Sequence, residues 1–435
     1  MKVLKKIAKV LLVIIVIISA ALGIGLNYKT VLASHKIKEV VDAAVPFEQI
    51  EIPDNVQIVG LGEASHGSKE FQQSKLEVLK MLVEKKDYRA IAVEADFGDC
   101  LAANAYVQGG DGDAREIVNN MSFVIYHTEE MANILEWMRQ YNSSVSEDKR
   151  LRFYGFDMQN PEQGIKFLTD YLGKNGITGT DLTATNNYVD ENRTEPLTDE
   201  QRAQVKNEMT QVKKAVEDAA GENHDFDTIC ALKVTDNVCT TIDYGMQDSQ
   251  EMSDFRDAAM ADNVSWILDL EKEIGSGKIM LAGHDGHIAK KGQSAFMKVT
   301  MGGVLKEKYG DAYYSLGTDF FKGKSNIRVF SAATDEYERK DYYVTTADPI
   351  AYQAKYVDGK RFFLDFGSLS PENNAKLHTM VNSKVSMGSL GEGFMGMYYL
   401  IHSSYRVNMA PTELYDGMIF YYEVGAINPK YRYKN

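Results

Sequence analysis

Eight side chains of the sequence combine the types and spacings that acid–base chemistry requires. Glu63 and His66 stand three residues apart in "GLGEASHG"; Glu94 and Asp96 close "RAIAVEAD", Asp157 closes "LRFYGFD", and His284, Asp285 and His287 lie in "AGHDGH". A carboxylate beside an imidazole can fix its tautomer, and an imidazole with an ordinary pKa near 6.5 can take a proton from water at neutral pH. Each residue alone has a plainer explanation. A strand-end Asp or Glu commonly caps the next helix, and a histidine in a Ser-His-Gly turn can be structural. The group stands out because every member follows an apolar run, and because Gly60, Gly62, Gly67, Gly283 and Gly286 bracket both histidine motifs and allow tight turns beside a ligand. His35, His127, His224, His378 and His402 lack that context and are read as structural.

The elements that must position these groups are strands. "VQIVGLG", "RAIAVEA", "LRFYGFD", "KIMLAGH", "AYYSLGT", "NIRVFSA", "RFFLDFG" and "MIFYYEV" are short apolar runs, several of them continuous, as in strands covered on both faces. Between them, "KEFQQSKLEVLKMLVEKK" and "EEMANILEWMRQYN" repeat apolar residues at helical steps. The alternation predicts an α/β fold with a mainly parallel central sheet flanked by helices. In such a sheet ligands sit beyond the carboxyl ends of the strands, where all these polar groups fall. From 161 to 273 the strand signals vanish and polar helical stretches such as "TDEQRAQVKNEMTQVKKAVEDAA" take over. The expected organisation is an α/β core at 34–160 and 274–435 with a helical insertion at 161–273, either a structural layer or a cap over the substrate. "ITGTDLTATNNYVDENRTEP" within it reads as a loop.

Two other chemistries can be weighed on spacing. In "GEASHG" Gly62 lies three residues before Ser65, where a nucleophile elbow needs a glycine two before, so Ser65 is not read as a nucleophile. His66, His284, His287 and a carboxylate have the ligand types of a zinc site, but no H-E-x-x-H is present. The expectation is no metal and no cofactor.

Lys2, Lys5, Lys6 and Lys9 precede seventeen uncharged residues, Val10 to Leu26, at the short limit for a membrane-spanning helix. The basic flank predicts an extracytoplasmic body. "VLAS", Val31 to Ser34, would permit signal-peptidase cleavage after Ala33, so residues 1–33 are a cleaved signal or a retained anchor. Removing them takes away five lysines and no acids and moves the net charge from −14 to −19. So acidic a body argues against a nucleic-acid partner, and leaves the membrane as a partner only through that segment. Cys100, Cys230 and Cys239 form no framework, although a Cys230–Cys239 disulfide is conceivable outside the cell.

"GEASHGSKEF", "AVEADF", "GFDMQ", "FRDAAMADNVSWIL", "AGHDGHIAK" and "SLGTDF", with "YDGMIFYYEV" near the end, resemble the erythromycin esterase family in the family's own order, from about Val56 to Phe320. The resemblance implies an esterase that opens a carboxylic ester or macrolactone, and a response to an antibiotic as its setting. It implies a water activated by His66, with Glu63 as partner, and Glu94, His284 and His287 completing the site. Lys75 stands where the family's antibiotic esterases carry an arginine; it keeps the charge and loses the planar fork. Lys75, Asp157 and Asp285 are the expected substrate-binding residues, and the substrate a small ester or lactone. Which of His284 and His287 acts on the carbonyl, and which on the leaving group, stays open at this level. The competing readings are a metal-dependent hydrolase of envelope components and a non-catalytic surface binding protein that keeps the fold.

Overall fold

The computed structural model describes residues 28–190, 192–222, 224–249, 251–293, 297–331, 334, 336–395, 398–399 and 401–429. The Val10–Leu26 run and its lysine flank therefore lie outside the described residues. Among the described residues no helix is long and apolar enough to cross a membrane. The chain forms two compact units. The larger comprises Glu51–Glu63, Lys69–Gly317 and the stretch from Ile427; the smaller comprises the residues up to Ile50, Ala64–Ser68 and Thr318–Ala426.

The larger unit is built on parallel strands. β1 (Ile58–Glu63), β2 (Ala90–Asp96), β3 (Arg152–Asp157) and β4 (Ile279–His284) follow the expected runs. Their order is β3-β2-β4-β1, and the first residues of β5 (Tyr313–Ser331) add a further parallel strand beside β1. Every residue of β1, β2, β3 and β4 is buried, which explains their continuous apolar character. Helices Lys69–Lys86, Phe97–Val107, Glu129–Ser144 and Glu162–Lys174 lie between the strands in sequence. The fold is α/β with a mostly parallel sheet flanked by helices, as the pattern predicts.

Among the described residues of 161–273 the long helices are Glu162–Lys174, Asp199–Ala220, Phe226–Tyr244 and Met252–Ile274. The helix Asp199–Ala220 starts on a capping box made by Thr198 and Gln201. The segment does not separate as a body of its own, because all of it groups with the larger unit's sheet. Met252–Ile274 carries buried polar residues among buried apolar ones, Asp257, Asn263 and Glu271 beside Met260, Val264 and Leu268. The expected loop at 177–196 holds one short helix, Thr183–Tyr188.

The smaller unit contains the rest of β5 with β6 (Glu336–Thr345), β7 (Arg361–Asp365), β8 (Val385–Gly388), β9 (Phe394–Met395), β10 (Arg406–Met409) and β11 (Gly417–Val424). Here antiparallel pairing dominates: β5 with β6, β7 with β11, β8 with β10. "AYYSLGT" and "NIRVFSA" were expected as separate strands and form one strand of 19 residues. Gly323 within it is a place of close backbone approach; a Cβ there would lie 2.2 Å from the Val424 carbonyl oxygen. β6 is largely exposed and so carries no apolar alternation for a sequence reading to find. Two carboxyls in this unit, Asp319 and Asp348, are fully buried and face one another. The Oδ2 of each has no donor among the described residues, so one shared proton is what satisfies both. Cys100, Cys230 and Cys239 are free thiols, and the conceivable Cys230–Cys239 disulfide is not formed.

Candidate active site

The carboxyl ends of β2, β3 and β4 gather Glu94, Asp157 and His284, and the four-residue helix Asp285–Ile288 adds Asp285 and His287. Local backbone features aim these side chains. Between Val93 and Asp96 the pairing of β2 with β3 shifts register, leaving Glu94 at an irregularity that redirects its side chain. Its carboxylate lies across Gly283, where a Cβ would come within 3.0 Å of Glu94 Oε2 and 3.1 Å of Phe156. That absence of a side chain lets Glu94 Oε2 accept from the His284 peptide N–H at 2.7 Å.

Glu94 Oε1 accepts from Arg256 Nη2 at 2.9 Å and lies 3.2 Å from His287 Nε2. Arg256, on the helix Met252–Ile274, also donates from Nη2 to Asp157 Oδ2 at 2.6 Å and from Nε to both Asp157 oxygens at 3.3 and 3.2 Å. Asp157 accepts further from the Met158 N–H and the Gln159 amide. Burial alone would lower the Arg256 pKa, but Asp157 and Glu94 more than offset it, and the guanidinium is held well above its usual range. The neighbouring Asp257 receives His287 Nδ1 at 2.9 and 3.0 Å on its two oxygens, and the Met301 N–H at 2.8 Å. His284 caps the short helix after it: its Nδ1 accepts from the Gly286 N–H at 3.1 Å. The lone pair is therefore at Nδ1 and the ring proton at Nε2. The two histidine rings are 6.3 Å apart, edge to face.

Glu63 lies one strand over, directly in register with His284 across the β1–β4 pair. Its Oε2 accepts from the Gln72 amide at 2.8 Å and from Lys75 Nζ at 3.0 Å. Lys75 donates also to Gln72 Oε1 at 2.8 Å and lies over the Tyr126 ring at 5.1 Å. At 2 % exposure, Lys75 is engaged by protein groups on every side. Its charge goes to Glu63, and Asp157 is likewise taken by Arg256, where both were expected to meet substrate. Asp285 is buried over β1: a Cβ on Gly62 would lie 1.9 Å from Asp285 Oδ1.

The spacing of three between Glu63 and His66 would suit one turn of a helix that starts at His66. His66 lies instead in the Ala64–Ser68 turn, which groups with the smaller unit, and the helix begins only at Lys69. Within that unit the Ser65 hydroxyl bonds to Ser325 and accepts from the Gly67 N–H at 3.2 Å, and the Gly67 carbonyl accepts from the Asn326 N–H at 2.9 Å. These bonds hold the turn against β5 and exclude a helical geometry.

The larger unit thus brings together Glu94, Asp157, His284 and His287, and adds two residues that the sequence reading did not assign, Arg256 and Asp257. Neither follows a strand. The signal available was an adjacent Arg-Asp pair in a helix that continues as "AAMADNVSWIL", a charge pair where burial was to be expected. Among the described residues no cluster of three or more His, Cys, Asp and Glu is arranged to hold a metal ion. A cavity of about 1140 Å³ opens elsewhere in this unit, lined by Leu101, Phe167, Phe226 and Arg152, and contains none of the expected site residues.

The chain is similar to the erythromycin esterase type II of Escherichia coli, 24% identical over 308 residues that make up 63% of this chain and 71% of the relative. In fold it is similar to a succinoglycan biosynthesis protein, with a TM-score of 0.72 and 21% identity over 90% of this chain and 97% of the other. It is similar also to an erythromycin esterase variant in its open conformation, with a TM-score of 0.58 and 15% identity over 86% and 92%. Residues 83–424 match the erythromycin esterase family, a stretch that holds Glu94, Asp157, Arg256, Asp257, His284, Asp285 and His287 but begins after Glu63, His66 and Lys75. With the strand-end cluster inside the matched stretch, the chain belongs to the erythromycin esterase family, a family of hydrolases.

Proposed function

We propose that the protein hydrolyses a carboxylic ester or lactone of a small molecule with a histidine-activated water, and that the Glu94–His284–His287 cluster is part of its catalytic centre. The observation that supports this reading is the placement of one carboxylate, Glu94, on the His284 peptide and the His287 ring together, at the end of a parallel sheet. In the proposed reaction a base takes a proton from water, the hydroxide adds to the carbonyl carbon, and the resulting oxyanion collapses with expulsion of an alkoxide that is then protonated. His66 is proposed as the base, on its place three residues after Glu63 in the sequence. His284, with its proton on Nε2, is suited to donating a hydrogen bond to the carbonyl oxygen as negative charge develops there, and the imidazolium formed at the base returns its proton to the alkoxide. The proposed setting is extracytoplasmic, on the strength of the lysine-flanked Val10–Leu26 run; protease added to intact cells should then digest the body.

The test is a panel of aryl esters and macrolactones, with and without chelator. Hydrolysis that survives chelation and falls by about 10²–10⁴ in His66→Ala and in His284→Ala, with Ser65→Ala largely active, is expected. No turnover of any ester would remove the esterase reading. Loss on chelation, restored by a divalent ion, would replace it with a metal-dependent hydrolase.

A further inference from the structure

One helix of the smaller unit turns its apolar side outward. Residues 28–33 are helical, and Tyr28, Val31 and Leu32 stand at steps of three and four along one side. Among the described residues nothing covers that side: Val31 is 70%, Leu32 59% and Tyr28 53% exposed. Thr30 and Ala33 face the unit instead. Thr30 Oγ1 lies 3.2 Å from Thr345 Oγ1 at the end of β6, and Ala33 is buried. The stretch that follows is fixed to the same unit, since the Gln353 side chain accepts from the Ile37 N–H at 2.8 Å and donates to the His35 carbonyl at 2.9 Å. The outward apolar side therefore belongs to packed chain.

Further exposed groups adjoin it. Tyr343 shares a face of β6 with Thr345, two residues on, and is exposed. Its carbonyl accepts from the Tyr399 hydroxyl at 2.7 Å, and Tyr399 and Ile401 are exposed as well. Thr345 Oγ1 also accepts from Arg406 Nη2 at 3.0 Å. Burial, then Arg406 and Lys29, lower the pKa of His402, which places Lys29 near the residue that follows Ile401. The helix, the end of β6 and the 399–402 stretch thus meet around Thr345 and form one exposed apolar patch. A contiguous patch of this kind marks an interaction surface. What lies beside it is set by the sequence before it. The uncharged Val10–Leu26 run ends two residues before Tyr28. Two residues reach at most about 7 Å. The interfacial layer on either side of a bilayer's hydrocarbon core is about 5–8 Å deep. As a helix the seventeen residues of the run cover about 26 Å, short of a core of about 30 Å, so their flanks are drawn inward. With that run across a bilayer, Tyr28 has no linker with which to leave the interface. Tyrosine suits headgroup depth, and Lys29 can extend its ammonium to the phosphates.

We propose that this patch of the smaller unit lies in the headgroup layer of a lipid bilayer, so that the protein is held to the membrane by a docked face as well as by its anchor. Docking rests on the reading of Val10–Leu26 as a retained anchor; it does not depend on the ester chemistry. So acidic a body gains nothing from anionic lipid, and apolar burial is what holds the face.

The experiment reconstitutes the full chain in phosphatidylcholine vesicles, with and without lipid brominated on its acyl chains. Ile401→Trp and Tyr343→Trp each place a reporter on the patch, more than 300 residues from Leu26 in sequence, where docking is what brings it to lipid. The added emission, read against the wild-type background of Trp137 and Trp266, should shift to the blue in vesicles and be lost with brominated lipid. Val31→Ser combined with Leu32→Ser should abolish both changes while the chain stays with the vesicles. Reporters quenched no more than the background overturn the proposal, and so does quenching that requires anionic lipid and vanishes at high salt. Pairing of two chains that depends on Val31 and Leu32, with unquenched reporters, gives the patch to a second copy and overturns it as well. The mass of the protein made in cells separates docking from the extracytoplasmic setting. A mature chain that begins at Ser34 lacks the helix and overturns docking, while external protease still finds the body outside. A docked chain that external protease cannot reach removes the extracytoplasmic reading and leaves the docked face standing.

Discussion

Removing the Arg256 guanidinium should expose how much of the larger unit's stability depends on compensated buried charge. Arg256 donates to Asp157 at 2.6 Å and to Glu94 at 2.9 Å. The side chains of those acids are 0% and 6% exposed. In Arg256→Ala each carboxylate keeps some donors, Met158 and Gln159 for Asp157, and His284 and His287 for Glu94. Neither keeps a guanidinium. Breaking a buried pair by deleting one partner costs about 3–5 kcal/mol, and two anions here share the deleted cation, so a loss of about that size is expected at pH 7. Arg256→Lys keeps the charge without the fork and should fall between wild type and alanine. The sign of the pH dependence follows. Without Arg256 the two carboxyls gain a folded pKa above the unfolded one. Their contribution is then intact in acid and is lost as the pH rises through the raised value. The gap between wild type and Arg256→Ala should therefore widen from about pH 4 to pH 7. Urea unfolding followed by tryptophan fluorescence measures it, because both tryptophans, Trp137 and Trp266, belong to the larger unit. A loss under about 1 kcal/mol, or a gap independent of pH, would refute the argument that these charges are buried and mutually dependent.

Burial raises the carboxyls of both Asp319 and Asp348; the facing Asp348 raises Asp319 further, while the bond to Asp319 and the backbone N–H groups partly offset burial at Asp348, which moves from 3.8 to about 6. Raised carboxyls stabilise the fold below 3.8, and that stability should be lost as the pH rises through about 6. Asp319→Asn supplies a permanent donor to Asp348 and should flatten the loss, read by circular dichroism of unfolding at pH values on either side; an unchanged pH dependence would show that the pair shares no proton. Gly62→Ala places a Cβ 1.9 Å from Asp285 Oδ1 and 2.9 Å from Ile288, and should destabilise by about 1–3 kcal/mol as an overpacked site, measured by the same fluorescence transition.

The strands that carry the chemistry are legible in the sequence because burial on both faces writes itself locally, as in Ile58–Glu63, Ala90–Asp96 and Ile279–His284, each wholly buried. Strand ends ask for polar residues, and so Glu94, Asp157 and His284 could be named from short stretches alone. β6 could not, since an exposed strand has no apolar face to repeat. The partners of each polar group were also out of reach. Glu94 meets the His284 peptide 190 residues away, and Arg256 meets Asp157 across 99. No local periodicity encodes such pairs; they exist only once the strands are ordered β3-β2-β4-β1 and a later helix lies against them. The geometry at His66 was missed for the opposite reason. A spacing of three suits a helical turn, but bonds from Ser65 and Gly67 to Ser325 and Asn326, more than 250 residues on, hold the backbone out of a helix until Lys69. Residue types and strand ends were thus set by sequence, through burial that each short stretch satisfies by itself. Protonation states and partners were set by tertiary structure, because a buried charge is defined by what the fold brings next to it.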